Sequence, residues 1–143
     1  MNIDAEKAAV RAVLDAVRQG LHDKDAAAID THFAPGAVIF DLAPPLAHGV
    51  NTPGLSSWLE TWDGPVEQEW ADLAIEVSGE LAVGHGLNRM SATTKSSAEQ
   101  AQWWQRSTMC LHKSQGAWKI IHAHTSVPFH MDGSFRAAID LQP

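Results

Sequence analysis

Between Ile3 and Leu21, apolar residues recur at Val10, Val13, Leu14, Val17 and Leu21 with good helix formers between them. That three- and four-residue spacing predicts a helix with one apolar side. Gly20 either ends it or loosens its last turn. Asp25 has the short acceptor side chain of an N-cap, ahead of a second, shorter helix, "AAAIDTHF", with Ile29 and Phe33 on one side. "APGAV" then turns the chain into a short strand, Ala37–Asp41. Adjacent prolines make "LAPPLAHG" a loop, because proline neither continues a helix nor donates to a paired strand. Thr52 followed by Pro53 reads as a cap and first helical position. Leu55, Trp58, Leu59 and Trp62 follow at i, i+3, i+4 and i+7, giving this third helix an aromatic stripe.

Beyond Gly64 the period changes to two. Leu73, Ile75 and Val77 alternate with Ala74, Glu76 and Ser78, and "SGE" makes a tight connection. "LAVGHGLNRMSATT" is a second strand, with Leu81, Val83, His85, Leu87 and Arg89 sharing a face. "QWWQRSTMCLHK" is a third, and "SQG" turns it into a fourth. On that fourth strand simple alternation groups Trp118, Ile120, His122, His124 and Ser126 on one face. The row starts apolar and ends in two imidazoles and a hydroxyl, so it runs from a dry core either into a polar pocket or out to solvent. Long strands with short turns predict an antiparallel meander covered by the preceding helices. "DGSFRAAIDLQP" has room for a short final helix. With no repeat and no low-complexity linker, residues 1–143 read as one α+β domain.

Charge and composition exclude several classes. A formal charge of −7 with no run of Lys or Arg argues against a nucleic-acid surface. Cys110 is the single cysteine, which excludes an internal disulfide and a cysteine-rich zinc site and suits a reducing compartment. The first residues mix charges through their apolar positions, unlike a signal peptide, and no stretch reaches the roughly 18 apolar residues of a membrane span. The expectation is a soluble cytoplasmic protein.

The run Gly116, Trp118, Lys119, Ile120, His122, His124, Ser126 and Pro128, preceded by Arg106 and Thr108, resembles the closing hairpin of SnoaL-like proteins. These belong to the nuclear-transport-factor-two-like superfamily, with ketosteroid isomerase and the association domain of calmodulin-dependent kinase II. "HFAPGAVIFD" is similar to the family's aromatic, turn and strand-ending Asp, and the order of elements agrees over nearly the whole chain. The resemblance implies a cone-shaped, strongly curved antiparallel sheet wrapped by N-terminal helices, a cystatin-like α+β barrel with an internal pocket. It implies dimerisation through the outer face of the sheet. A homodimer is also expected because both rows of the last strands carry apolar and aromatic residues. Members of the superfamily include isomerases, cyclases, dehydratases and non-catalytic domains, so the fold alone fixes no chemistry.

By the same resemblance Asp41 aligns with the general-base aspartate of ketosteroid isomerase, where the base works with an oxyanion hole of a Tyr and a protonated Asp. This chain has no tyrosine, and the place of the second donor falls near Thr108, which is no strong acid. A tyrosine-dependent steroid isomerisation is therefore not expected. Two function classes remain. The first is a cofactor-independent acid–base enzyme on a small apolar molecule, with Asp41 and one of His122, His124 or His85 as the acid–base pair. Trp58, Trp62, His85, Arg106 and Thr108 would then line its ligand site. The second is a non-catalytic ligand-binding or oligomerisation domain, in which Asp41 bonds backbone amides ahead of "LAPP". A three-histidine zinc site built on His122 and His124 is a weaker alternative, so no metal is assigned. "GHG" lacks the spacing of a phosphate loop, and its glycines serve to admit a helix or bend the strand. Cys110 reads as a buried small hydrophobe. Trp103 and Trp104 are adjacent and face opposite ways.

Overall fold

The structure is a computed structural model that describes residues 1–143. Helix α1 spans Ile3–Asp23, capped by the Asn2 side chain, which accepts from Ala5 N at 3.1 Å. It runs past Gly20, whose missing side chain has a different use. A Cβ there would lie 2.5 Å from Ile29 Cγ1, so the glycine lets helix α2, Ala26–Asp30, fold back against α1. Asp25 caps α2 as expected, accepting from Ala28 N. Helix α3 covers Thr52–Glu60, and its N-cap is Asn51 rather than Thr52. The Thr52 hydroxyl instead donates to Asp30 Oδ2, tying α3 to the end of α2. Trp62 is not on α3; it is the first residue of the next strand.

Five strands form one curved sheet: β1 Phe33–Phe40, β2 Trp62–Ser78, β3 Leu81–Thr94, β4 Gln100–Ser114 and β5 Ala117–Ser126. Their order is β1-β5-β4-β3-β2. Strands β2 to β5 are the expected antiparallel meander. The sheet as a whole is mixed, because β1 pairs parallel to β5. A parallel partner needs a long crossover rather than a turn, and the whole β2–β4 meander supplies it. β1 starts at Phe33, four residues earlier than the pattern suggests, and stops at Phe40, leaving Asp41 outside it. Gln115 and Gly116 both have positive φ, the two-residue turn that matches strand twist. Beyond β5 there is no final helix; residues Phe129 and Ala137 form a single bridge and Ala138 is buried.

The helices cover one face, called inner. Two apolar clusters lie there. One joins Val10 and Leu14 of α1 to Met109, Leu111, Trp118 and Ile120 of the sheet. The other joins Leu21, Ile29 and Leu59 of the three helices to Val66, Met90 and Ala92. On β3 the inner row is Ala82, Gly84, Gly86, Asn88, Met90 and Ala92, so the row Leu81, Val83, His85, Leu87, Arg89 faces outward. The glycines of "GHG" do what the sequence suggests. Leu14 Cδ1 lies 3.4 Å from where a Gly84 Cβ would be, and Leu73 Cα lies 3.0 Å from the corresponding point at Gly86. Opposite Gly86, β2 is bulged between Ala71 and Ala74, with Asp72 in the left-handed region at φ 54.

Candidate functional site

A second bulge decides where the histidines go. Leu111 pairs with Ile120, whereas the preceding residue, Cys110, pairs with His122. Ile121 is therefore the extra residue of a β-bulge, and beyond it the two faces of β5 exchange. Trp118 and Ile120 point inward, as the alternation requires. His122, His124 and Ser126 point outward beside Cys110, Thr108 and Arg106, and Ala123 and Thr125 take over the inner row. The expected row of five does not exist as one face.

The outer face thus gathers most of the candidate residues. His122 donates from Nδ1 to Val38 O at 2.7 Å. Phe40 of β1 packs edge-on against both His122 and His124, with ring centroids 4.7 and 5.4 Å apart. Arg106 donates from Nε to Ser126 Oγ at 3.2 Å. His85, Arg106 and Thr108 line an open cleft of about 410 Å3 with Asp72. Cys110 is half-buried on this face rather than in the core. No third His, Cys, Asp or Glu joins His122 and His124 in a metal-holding group.

Asp41 lies apart from the two strand histidines' face, in the loop that follows β1. Its Oδ1 accepts from Leu42 N at 2.8 Å, and its Oδ2 is 3.8 Å from His48 Nε2. His48 comes from the far side of the diproline loop and bridges Ile39, with two backbone hydrogen bonds. Directly paired residues share a face, so His48 sits on the side of Ile39, which is the inner side because Ile39 pairs with Ala123. Asp41 and His48 therefore meet at the inner rim of the sheet. The His48 Nδ1–H donates to Gly49 O at 2.8 Å. Sequence reading missed His48, since nothing in "LAPPLAHG" marks its last residues as an edge pairing with β1.

Inside the rim, the inner face is walled by tryptophans. Trp58 of α3 and Trp62 of β2 pack edge to face with centroids 6.0 Å apart, and Trp103 follows at 6.5 Å from Trp62. Trp103 Nε1 donates to Gln105 Oε1 at 2.8 Å. Between the two apolar clusters runs a buried polar line across three strands. Asn88 Nδ2 donates to Ser107 Oγ, which is 3.1 Å from Thr125 Oγ1. The line leaves Asn88 Oδ1 and the indole N–H of Trp62 and Trp70 buried without a partner. Each such group costs about 1–3 kcal/mol if nothing meets it. None of Asn88, Ser107, Gln105 or Trp70 stood out in the sequence. The available signal was a polar residue at each of positions 88, 105 and 107 on rows, 82 to 92 and 101 to 111, that are otherwise apolar or small.

A curved mixed sheet with three N-terminal helices on its inner face is the nuclear-transport-factor-two-like architecture, and solved structures agree. An NTF2-like protein of unknown function from Pseudomonas putida KT2440 matches at 28% identity over 98% of both chains, with a TM-score of 0.85. A candidate dehydratase of the NTF2-like family from Streptomyces avermitilis matches at 10% identity over 87% of this chain and 97% of its own, with a TM-score of 0.78. A candidate calcium/calmodulin-dependent protein kinase II association domain from Xanthomonas campestris matches at 19% identity over 82% and 84%, with a TM-score of 0.70. The SnoaL-like domain family matches residues 10–130, and the chain belongs to it. No curated protein matches.

Proposed function

We propose that the protein binds a small, largely apolar organic molecule on the inner face of its sheet and acts on it by cofactor-free acid–base chemistry of the isomerase, cyclase or dehydratase type. Asp41 is the proton acceptor. The observation that carries this reading is the Asp41–His48 pair at the inner rim of the sheet, on the face that also carries the tryptophans. A rim carboxylate can take a proton from an activated carbon of a molecule seated against Trp58 and Trp62. It can return that proton to another carbon, which is isomerisation, or to a leaving hydroxyl, which releases water. His48 donates its Nδ1–H to Gly49 O, and its Nε2 lies 3.8 Å from Asp41 Oδ2, too far for a direct hydrogen bond. The NTF2-like candidate dehydratase of the same fold supports the reaction class.

In this reading His122, His124, His85, Arg106 and Thr108 serve the outer face, which a second copy covers in a homodimer. The unpaired Cys110 accords with a cytoplasmic setting, and no helix is long and apolar enough to cross a membrane. A non-catalytic binding domain is the second reading. It is favoured by the Leu42 N–H, which already occupies one Asp41 oxygen in a turn.

The two readings part in deuterated water. A panel of small cyclic ketones is incubated with the protein and loss of α-proton signals is followed by NMR. Asp41→Asn should slow exchange by about 10²-fold or more while leaving the melting temperature unchanged. Ketone binding without exchange, equal in the Asp41→Asn variant, would establish the binding domain instead.

A further inference from the structure

We propose that the homodimer forms about a two-fold axis lying along β4, which seats His85 of each copy against the partner's His124, and that protonation of these imidazoles separates the copies. The inference rests on reading the outer face as the dimer contact and adds how that contact is arranged and regulated.

One straight row crosses the outer face. Ala74 pairs with His85, His85 with Thr108, Thr108 with His124, and His124 with Phe40. β4 is the middle of the five strands, so Thr108 is the middle of the row. Homodimers ordinarily close by a two-fold axis, which lays one surface on itself. An axis along β4 uses the whole width of the sheet. It sets Thr108 on its own copy, His85 on the partner's His124, and the exposed Phe40 near the partner's Ala74, large against small. The angle of about 30° between aligned sheets shifts a residue one strand from the axis by less than one residue's rise.

The charges on this face leave the two imidazoles unanswered. In the cleft beside His85, Asp72 and Arg106 carry opposite charges and balance one another. Elsewhere on β2, Glu69 is held by Arg89, Glu76 by Lys7 and Glu67 by His22. His124 faces Thr108 on β4 and Phe40 on β1, and its neighbour on the same strand, His122, is a further base. Two neutral imidazoles can meet across the axis, N–H to ring nitrogen. Two protonated ones bring only donors and the same charge into a contact from which water is excluded.

Imidazoles change charge between about pH 5 and pH 8, so sedimentation of the full chain at about pH 8 and about pH 5.5 spans the change. The dimer dissociation constant should rise by about a hundred-fold or more at the lower pH, while circular dichroism stays that of a folded chain. In His85→Gln/His124→Gln the rise should shrink to a few-fold, the remainder coming from His122. Should the double variant fail to fold, either single variant should still give a smaller rise than the native chain. The axis has its own readout. In a Cys110→Ser background, a short bismaleimide should join Thr108→Cys to its copy, whereas Ala74→Cys, about 20 Å from its copy, should stay unlinked. A native dimer unchanged at the lower pH, or a double variant that separates as the native chain does, would overturn the switch and leave the homodimer standing. Linking of Ala74→Cys in place of Thr108→Cys would overturn the axis. A native monomer at the higher pH would overturn the homodimer reading, and the inference with it.

Discussion

Ile120 and His122 are two residues apart on the same strand and face opposite sides of the sheet. Ile120 is 1% exposed in the core, whereas His122 lies against Phe40 on the outer face. The extra residue between them, Ile121, shifts the pairing with β4 by one and moves every later side chain to the other side. Bulges are where a sheet re-aims its side chains, and here one keeps two imidazoles out of the apolar interior.

The bulge in β2 makes Gly86 the least replaceable glycine of β3. A Cβ on Gly86 would meet backbone at 3.0 Å (Leu73 Cα) and 3.1 Å (Ala71 O), neither of which can rotate away. Gly86→Ala should cost about 1–3 kcal/mol by overpacking. At Gly84 the nearest atom to an added Cβ is the methyl end of Leu14 at 3.4 Å, an ordinary contact, so Gly84→Ala should cost less than about 1 kcal/mol and urea midpoints of the two variants should differ clearly.

On α3 the neighbours Trp58 and Leu59 should separate in the opposite order to their size. Leu59 is fully buried beneath the helix, and Trp58 is 37% exposed at the rim. Leu59→Ala should cost about 2–5 kcal/mol, and Trp58→Ala less than that, near 1–2 kcal/mol. Chemical denaturation decides it; a larger loss for Trp58 would show that the ring supports the core.

Acid should weaken the fold in two windows. Hydrogen bonds from Lys113 and then Trp118 hold the Glu6 carboxyl below its ordinary value of 4.5, so its contribution is present above 4.5 and lost as pH falls from there through the lowered folded value. Burial, and then the charge of Lys119, lowers His32 below its ordinary 6.5, so the unfolded chain binds this proton first and stability falls as pH drops below 6.5. Glu6→Gln should flatten the lower window and His32→Gln the upper one in melting curves taken across pH.

The outer face should bury itself in a homodimer. Val38 and Phe40 stand exposed there beside His124, at 46% and 37%. Sedimentation at micromolar concentration should give twice the chain mass, and Phe40→Glu should return it to the monomer. A native monomer under those conditions would remove the dimer proposal.

The periodic parts of the chain were legible in its sequence: α1 from its apolar stripe, α2 from Asp25, the meander from alternation and turns. The family was legible too, from the closing hairpin and "HFAPGAVIFD". What was not legible depends on register. Alternation groups His122 with Ile120 only while no residue is extra, and nothing local distinguishes Ile121 from its neighbours. The same holds for β3, where the large residues look like the inner row. Inside, glycines and alanines make room for α1 and β2, so the small residues are the buried ones. The edge pairing of His48 with Ile39 is a contact across an irregular loop, which no period encodes.

The parallel pairing of β1 with β5 also orders events during synthesis. The Val38 carbonyl waits for the His122 ring, 84 residues further along the chain, and β1 has no other sheet partner than β5 and the short His48 bridge. While a ribosome is still making β4, the first strand has left the exit tunnel with its pairing edge open, and only the last hairpin can close it. Such a distant closure is slow and leaves an exposed template for wrong partners in the interval. A nascent chain stalled before Ala117 should therefore be sticky and protease-sensitive near Phe33–Phe40, and a chain extended past Ser126 should lose both properties together.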